Sequence, residues 1–284
     1  MSQDPPRLNL IIAGAQRSAT TSLKAALTSS PDVRFVSNRE ENLSHDGRYV
    51  GFPFASPFAS WSEIGLRDGG AIYESMTDGR SAKYHGTKWP YFMVFPHIAC
   101  NLRMQLPDAR IIFILRNPTD CLWSSFLKRH DGESDPADDF DRWVEEGCDR
   151  IAAAATPEHR SSWAHMLYAD LNAAIALDRG HYFPQVVNFL HLYGWRQLFI
   201  VNYRDFATEP GAEMDRLFEW LEVEPPGEIE GLGERHNSAS SHVGETKGRR
   251  TMHESTRARL HRFYQPSDDR LCDMMSWDLE AWRS

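Results

Sequence analysis

The sequence predicts an α/β protein: a single domain with a P-loop-like, doubly wound parallel sheet flanked by helices. Three stretches predict it. Residues 8–27, LNLIIAGAQRSATTSLKAAL, read as a buried strand, a turn of small and polar residues, and a helix start. Residues 110–129, RIIFILRNPTDCLWSSFLKR, repeat the same plan, with a continuous apolar strand of the kind covered on both faces. Residues 197–201, QLFIV, form a third strand with a helical stretch after it. Strands alternating with helices point to one parallel sheet, and no repeat or linker divides the 284 residues.

The first of these stretches sets the chemistry. Leu8, Leu10, Ile11 and Ile12 make the strand, and Gly14, Ala15, Gln16, Arg17, Ser18 and Ala19 the turn. Thr20, Thr21 and Ser22 open a helix whose apolar face carries Leu23, Ala26 and Leu27. The first N–H groups of a helix have no partner within it, and its dipole favours negative charge there, so a phosphate is expected on this turn. The turn departs from the Gly-x-x-x-x-Gly-Lys-Ser/Thr pattern: Ala19 replaces the second glycine and Thr20 the lysine. The charge central to a kinase or NTPase is missing, and Arg17 supplies a cation inside the turn instead.

Val33, Phe35 and Val36 form a short strand, with Asn38, Arg39, Glu40 and Glu41 at its carboxyl end. Ligands in open α/β sheets gather outside the carboxyl ends of strands. Glu40 is therefore a candidate acid/base group, or part of a solvated charge cluster. Residues 44–80 lack periodicity and read as irregular, with a short helix near residues 59–66. Phe52, Phe54, Phe58 and Trp61 line an apolar acceptor pocket or belong to the core. In residues 84–92, YHGTKWPYF, Pro90 fits the first turn of a helix running to about Gln105. That helix would place Lys88 just outside its N-terminus, facing the anion region.

Arg116 ends the strand at residues 111–115, and Ser124 lies in the helix after Pro118. The two are candidates for a second phosphate, for which the planar donor fork of arginine is suited. Residues 138–194 read as helices, with Trp143, Ile151, Trp163, Leu167, Leu171 and Ile175 as core. Asn202, Tyr203 and Arg204 close the strand at 197–201, with Tyr203 a candidate cofactor contact, and a helix through residues 214–221 comes next. Residues 225–250 form a long polar loop ending in Lys247, Gly248, Arg249 and Arg250, cations around a glycine that lets the backbone approach an anion. A last helix over residues 253–263 and a tail with Trp277 and Trp282 complete the chain.

The bulk numbers bound the function. Hydrophobic content of 41% and charged content of 25% are ordinary for a globular chain. A formal net charge of −9 argues against non-specific binding to nucleic acid or to an anionic membrane, and makes a polyanionic substrate a poor match. The four cysteines, Cys100, Cys121, Cys148 and Cys272, show no metal-finger spacing and suit free thiols in a reducing compartment. No run approaches a membrane span and the N-terminus has no long apolar segment, so a soluble cytoplasmic protein is expected.

Taken together, these pieces resemble the sulfotransferases that use 3′-phosphoadenosine 5′-phosphosulfate (PAPS), with the closer likeness to the heparan-sulfate type and its bacterial relatives. Arg17-Ser18-Ala19-Thr20-Thr21-Ser22-Leu23 resembles the family's 5′-phosphosulfate loop, where a lysine usually stands in place of Arg17. Arg116-Asn117-Pro118 with Ser124 resembles its 3′-phosphate motif. Lys247-Gly248-Arg249 resembles its late closing loop, and Phe263-Tyr264-Gln265-Pro266 resembles the segment just after that loop. The likeness spans nearly the whole chain, with gaps at residues 44–80 and 130–195.

The resemblance implies in-line transfer of a sulfuryl group from PAPS, with no metal, to the hydroxyl or amine of an acceptor. The cofactor residues it implies are Arg17, Ser18, Ala19, Thr20, Thr21, Ser22, Arg116, Ser124, Tyr203, Lys247, Gly248 and Arg249. The catalytic residues are Arg17, Lys88 and Glu40, the last as base, with His45, His85 and His130 as alternatives. A cysteine common before the closing loop in secreted relatives is absent near His242. The expected acceptor is a small molecule, a biosynthetic intermediate, and neither nucleic acid nor membrane is an expected partner. An ATP-dependent small-molecule kinase on the same scaffold and a non-catalytic nucleotide-binding protein remain the alternatives.

Overall fold

The computed structural model describes residues 8–35, 82–94, 96–130, 135–154, 173–227, 229, 232 and 251–283. Val36, Glu40, His45, the aromatics of residues 44–80, Trp163, Leu167, Leu171, Lys247, Gly248 and Arg249 lie outside these residues. In chain order the elements are β1 (Leu10–Gly14), α1 (Thr20–Thr28), β2 (Val33–Phe35), β3 (Tyr84–Lys88), α2 (Pro96–Gln105), β4 (Arg110–Leu115), α3 (Pro118–Arg129), α4 (Pro136–Ala154), α5 (Ala173–Asp178), α6 (Tyr182–Tyr193), β5 (Leu198–Asn202), α7 (Tyr203–Thr208), α8 (Pro210–Leu221), α9 (Glu254–Met275) and α10 (Leu279–Arg283). They gather into two compact units, Met1–Arg116 with Gln185–His236 and Asn117–Pro184 with Asn237–Ser284.

The first unit carries the sheet. Its strands run in the order β2-β3-β1-β4-β5 and every neighbouring pair is parallel. The apolar runs that predict β1 and β4 occupy the middle, where every residue of β1 is buried, as are the last five of β4. Side chains alternate between the two faces. Ile112 and Ile114 meet Leu23 and Leu27 of α1 and Leu217 and Phe218 of α8. Phe113 points the other way and meets Phe189 of α6 edge-on, with ring centroids 5.1 Å apart. Helices therefore cover both faces. The chain leaves β1 toward β2 and β3, and reaches β4 and β5 on the opposite side, so the carboxyl ends of β1 and β4 flank the point where the strand order reverses. That is where open α/β sheets bind ligands.

The second unit is helical in its described residues. Leu122 and Trp123 of α3, Phe140 and Val144 of α4, and Leu260 and Tyr264 of α9 share its core. The Tyr264 hydroxyl donates to the Leu177 carbonyl at 2.9 Å, and its ring lies 2.4 Å from where a Cβ on Gly180 would stand.

Two expectations are corrected. The helix ending at Gln105 starts at Pro96, not Pro90; residues 90–94 form turns, and residues 84–88 are a strand. The last long helix does not stop at residue 263 but continues through Pro266 to Met275. A proline inside a helix removes one hydrogen bond and crowds the preceding turn. Here Ser267, Asp268, Leu271 and Cys272 beyond it are all buried, and packing outweighs the local cost.

Candidate active site

The turn after β1 is shaped by a close approach to its neighbours and by left-handed backbone. Gly14 closes the strand where no Cβ fits, since one would stand 1.9 Å from the Met93 sulfur. Ala15 N–H donates to the Ile114 carbonyl at 2.8 Å, tying the turn to β4. Arg17 and Ala19 then take left-handed backbone conformations, with φ of 65° and 63°, on either side of the wholly buried Ser18. Left-handed residues in such a turn aim successive N–H groups into one concavity, which suits an anion. Each costs about 1–2 kcal/mol in a residue with a Cβ. At the start of α1, Ala19 offers no side-chain cap and the first turn holds no acid. The helix end thus presents Thr20, Thr21 and Ser22 with its positive dipole end uncompensated by the helix's own side chains.

Two cations from distant sequence reach this turn. Lys88 ends β3, whose register pairs it with Ile12 near the end of β1. Its ammonium donates to the Thr21 hydroxyl at 3.3 Å. The chain beyond it crosses the end of β1: Trp89 N–H donates to the Ile12 carbonyl and Met93 N–H to the Ala13 carbonyl, each at 3.1 Å. Gln16 Nε2 donates to the Tyr91 hydroxyl at 2.6 Å, binding this crossing segment to the turn itself. Lys88 is therefore delivered by strand register, not by the helix terminus the sequence suggested. Arg116, one residue past β4, extends Nη1 to 3.4 Å from the Arg17 carbonyl, and its guanidinium lies 4.8 Å over the Tyr203 ring.

The other described candidates have the following settings. Asn117 caps α3 by accepting from Thr119 N–H at 2.9 Å and donates to the Trp282 carbonyl at 3.1 Å. Ser124 lies on α3, in the second unit. His85 sits in β3 beside Arg34 of β2, three residues and about 10 Å of strand before Lys88. Burial, with Arg34 adding to it, lowers its pKa, which keeps the ring neutral. His130 is 7% exposed and its Nε2 is 2.9 Å from Asp139, a pairing within the second unit. All four cysteines are free. Among the described residues no three His, Cys, Asp or Glu side chains cluster to hold a metal, and no helix is long and apolar enough to cross a membrane. The arrangement can hold an anion on backbone amides and place two further cations around it. Sequence reasoning missed the Gln16–Tyr91 bond and the Tyr203 ring under Arg116, because neither belongs to a motif or a periodicity.

Comparison with known proteins fits this geometry. The family model described as "Sulfotransferase domain" matches residues 8–263. Carbohydrate sulfotransferase 15 of Homo sapiens is 24% identical over 179 residues, which are 63% of this chain and 32% of that protein. Its counterpart in Mus musculus is 23% identical over the same share. The match spans about a third of the length of these curated relatives. The crystal structure of a sulfotransferase from Alicyclobacillus acidocaldarius superposes with a TM-score of 0.65 at 21% identity, covering 98% of this chain and 100% of that one. The sulfotransferase domain from the curacin biosynthetic pathway gives a TM-score of 0.50 at 14% identity, with 98% and 99% covered. These structures share the fold.

Proposed function

We propose that this chain, which belongs to the sulfotransferase domain family and is a transferase enzyme, moves a sulfuryl group from PAPS to a hydroxyl or amine of a small-molecule acceptor by in-line transfer. The observation that carries the proposal is the meeting of Lys88 and Arg116 at the turn between β1 and α1. When bound, PAPS supplies the sulfuryl group and leaves as 3′,5′-adenosine bisphosphate. In this reading Arg17, Ser18, Ala19 and the amides of Thr20, Thr21 and Ser22 hold the 5′-phosphosulfate. Arg17 and Lys88 stabilise the charge that develops on the oxygen bridging sulfur and phosphorus, which is the main task in a displacement governed by positioning and charge. Arg116 and Ser124 bind the 3′-phosphate, Tyr203 contributes beside Arg116, and Lys247, Gly248 and Arg249 close over the nucleotide. Glu40 takes the acceptor's proton. These protein cations carry the charge that a metal carries in a kinase, so no metal is needed.

The small-molecule acceptor is supported by the net charge of −9, which opposes a polyanionic glycan. A neutral carbohydrate is the second reading, favoured by the name of the curated relatives. The free cysteines support a cytoplasmic location.

Calorimetry with 3′,5′-adenosine bisphosphate tests the donor. Heat is expected from the wild type and little from Arg17→Glu or Arg116→Glu; an absence of heat from the wild type, or no change in either variant, refutes it. Stabilisation by ATP with Mg²⁺ but not by the bisphosphate would favour a kinase. Glu40→Gln should abolish transfer and spare donor binding, and full activity there removes Glu40 as the base. Incubation with PAPS and a metabolite extract, alongside neutral oligosaccharides, should give a mass gain of one sulfuryl group in the metabolites.

A further inference from the structure

We infer that Tyr203 is a positioning residue: its ring holds the Arg116 guanidinium in place, and it acts on the nucleotide's 3′-phosphate through that arginine. The inference rests on the donor reading above. Parallel pairing sets Leu115 of β4 beside Asn202 of β5. Arg116 and Tyr203 are the residues just past the ends of these two paired strands. The tyrosine is anchored twice. Asn202 caps α7 by accepting from the Arg204 N–H at 2.9 Å, which fixes the backbone at Tyr203. The ring itself packs against the buried cluster that includes Val201, Phe206 and Met214.

Arg116 is a long side chain past the end of its strand. One of its contacts, with the Arg17 carbonyl at 3.4 Å, is at the long edge of hydrogen-bond range. The guanidinium lies 4.8 Å from the Tyr203 centroid, inside the distance at which a ring face attracts a cation. Arginine is suited to stack on an aromatic face and still direct its planar donors at an oxyanion. A ring committed to Arg116 in this way contributes to nucleotide binding only when a 3′-phosphate is there for the arginine to meet.

Calorimetry on the full chain with 3′,5′-adenosine bisphosphate and with adenosine 5′-monophosphate separates this from a structural role and from direct ring contact with the nucleotide. Tyr203→Leu is expected to weaken the bisphosphate by about three- to tenfold, the range of a cation–π contact, and to leave the monophosphate within about twofold. Tyr203→Phe keeps the ring and should keep both affinities. In an Arg116→Ala background, Tyr203→Leu should change nothing further. Equal loss on both ligands, or the same loss with Arg116 already removed, overturns the positioning role while leaving the donor reading intact. A wild type that binds neither nucleotide refutes the donor reading, and the role of Tyr203 with it.

Discussion

Replacing Asp268 with Asn should stabilise the protein most at pH 8, by clearly less at pH 5, and not at all below about pH 4. Asp268 lies on α9 and is 2% exposed, and its Oδ1 has no hydrogen-bond partner. Burial pushes its carboxyl up to about 7 from an ordinary 3.8, opposed by the Trp282 indole and the Arg283 guanidinium and reinforced by Asp269. Its neighbours report the same dry surroundings: burial raises the Cys272 thiol to about 12, and also raises the Tyr182 and Tyr264 hydroxyls. An acid whose pKa is higher in the folded state binds its proton more tightly when folded, so stability falls as pH rises. The loss begins near the ordinary carboxylate pKa and levels off above about 7. A shift of this size corresponds to a penalty on the order of 4 kcal/mol at high pH. Asparagine keeps the shape and cannot ionise. Urea unfolding of both proteins from pH 5 to pH 8 should therefore show a stability difference that grows by a few kcal/mol in favour of the variant. Parallel curves for wild type and variant across that range would refute the reasoning.

The site and its supports carry further expected outcomes. Lys88→Ala should lower kcat about 100-fold or more, the size of losing one preorganised charge at a reacting centre, with donor affinity by calorimetry changed far less; labelled-sulfate transfer measures it. Gly14→Ala drives a methyl to 1.9 Å from the buried Met93 sulfur and should cost about 1–3 kcal/mol in denaturant unfolding, with less than additive cost in a Met93→Ala background. Ala19→Gly relieves a left-handed φ of 63° and should raise stability in denaturant unfolding by about 1 kcal/mol, even though glycine adds freedom to the unfolded chain.

The parts of the fold that sequence made legible are those where hydrophobicity and burial coincide. β1 and β4 are apolar and wholly or nearly wholly buried, and they read directly as strands. β3 is buried at its first four positions yet spelled YHGTK, so neither an apolar run nor an alternation marks it. His85 and Thr87 are buried there, and Gly86 stands where the Phe35 ring lies 2.8 Å from a would-be Cβ. Its strand character comes from its place between β1 and β2, information held by the sheet and not by its own residues. α9 failed to read for the opposite reason, because Pro266 is a strong local stop overruled by contacts far along the chain. Within the site, residue type was legible and delivery was not. Arg17 stands out as a cation in the turn, Arg116 as one at a strand end and Lys88 as one outside an expected helix terminus, but that Lys88 arrives by strand register and that Arg116 lies on Tyr203 depends on pairings across the sheet.

An anion site in a chain of net charge −9 is a matter of distance. At physiological ionic strength, charges more than about 8 Å apart across solvent are largely screened. Lys88 stands 3.3 Å from the Thr21 hydroxyl and Arg116 3.4 Å from the Arg17 carbonyl, so both would act on an anion placed in the turn from well inside that length. The acidic remainder acts only on what extends beyond it. A nucleotide small enough to sit within the turn and its two cations would meet local positive charge, whereas a long polyanion would extend beyond them over a chain whose net charge is −9. Under the donor reading proposed above, the same charge balance would admit a doubly anionic donor and disfavour a highly sulfated acceptor, which is the physical ground for proposing a small or neutral one.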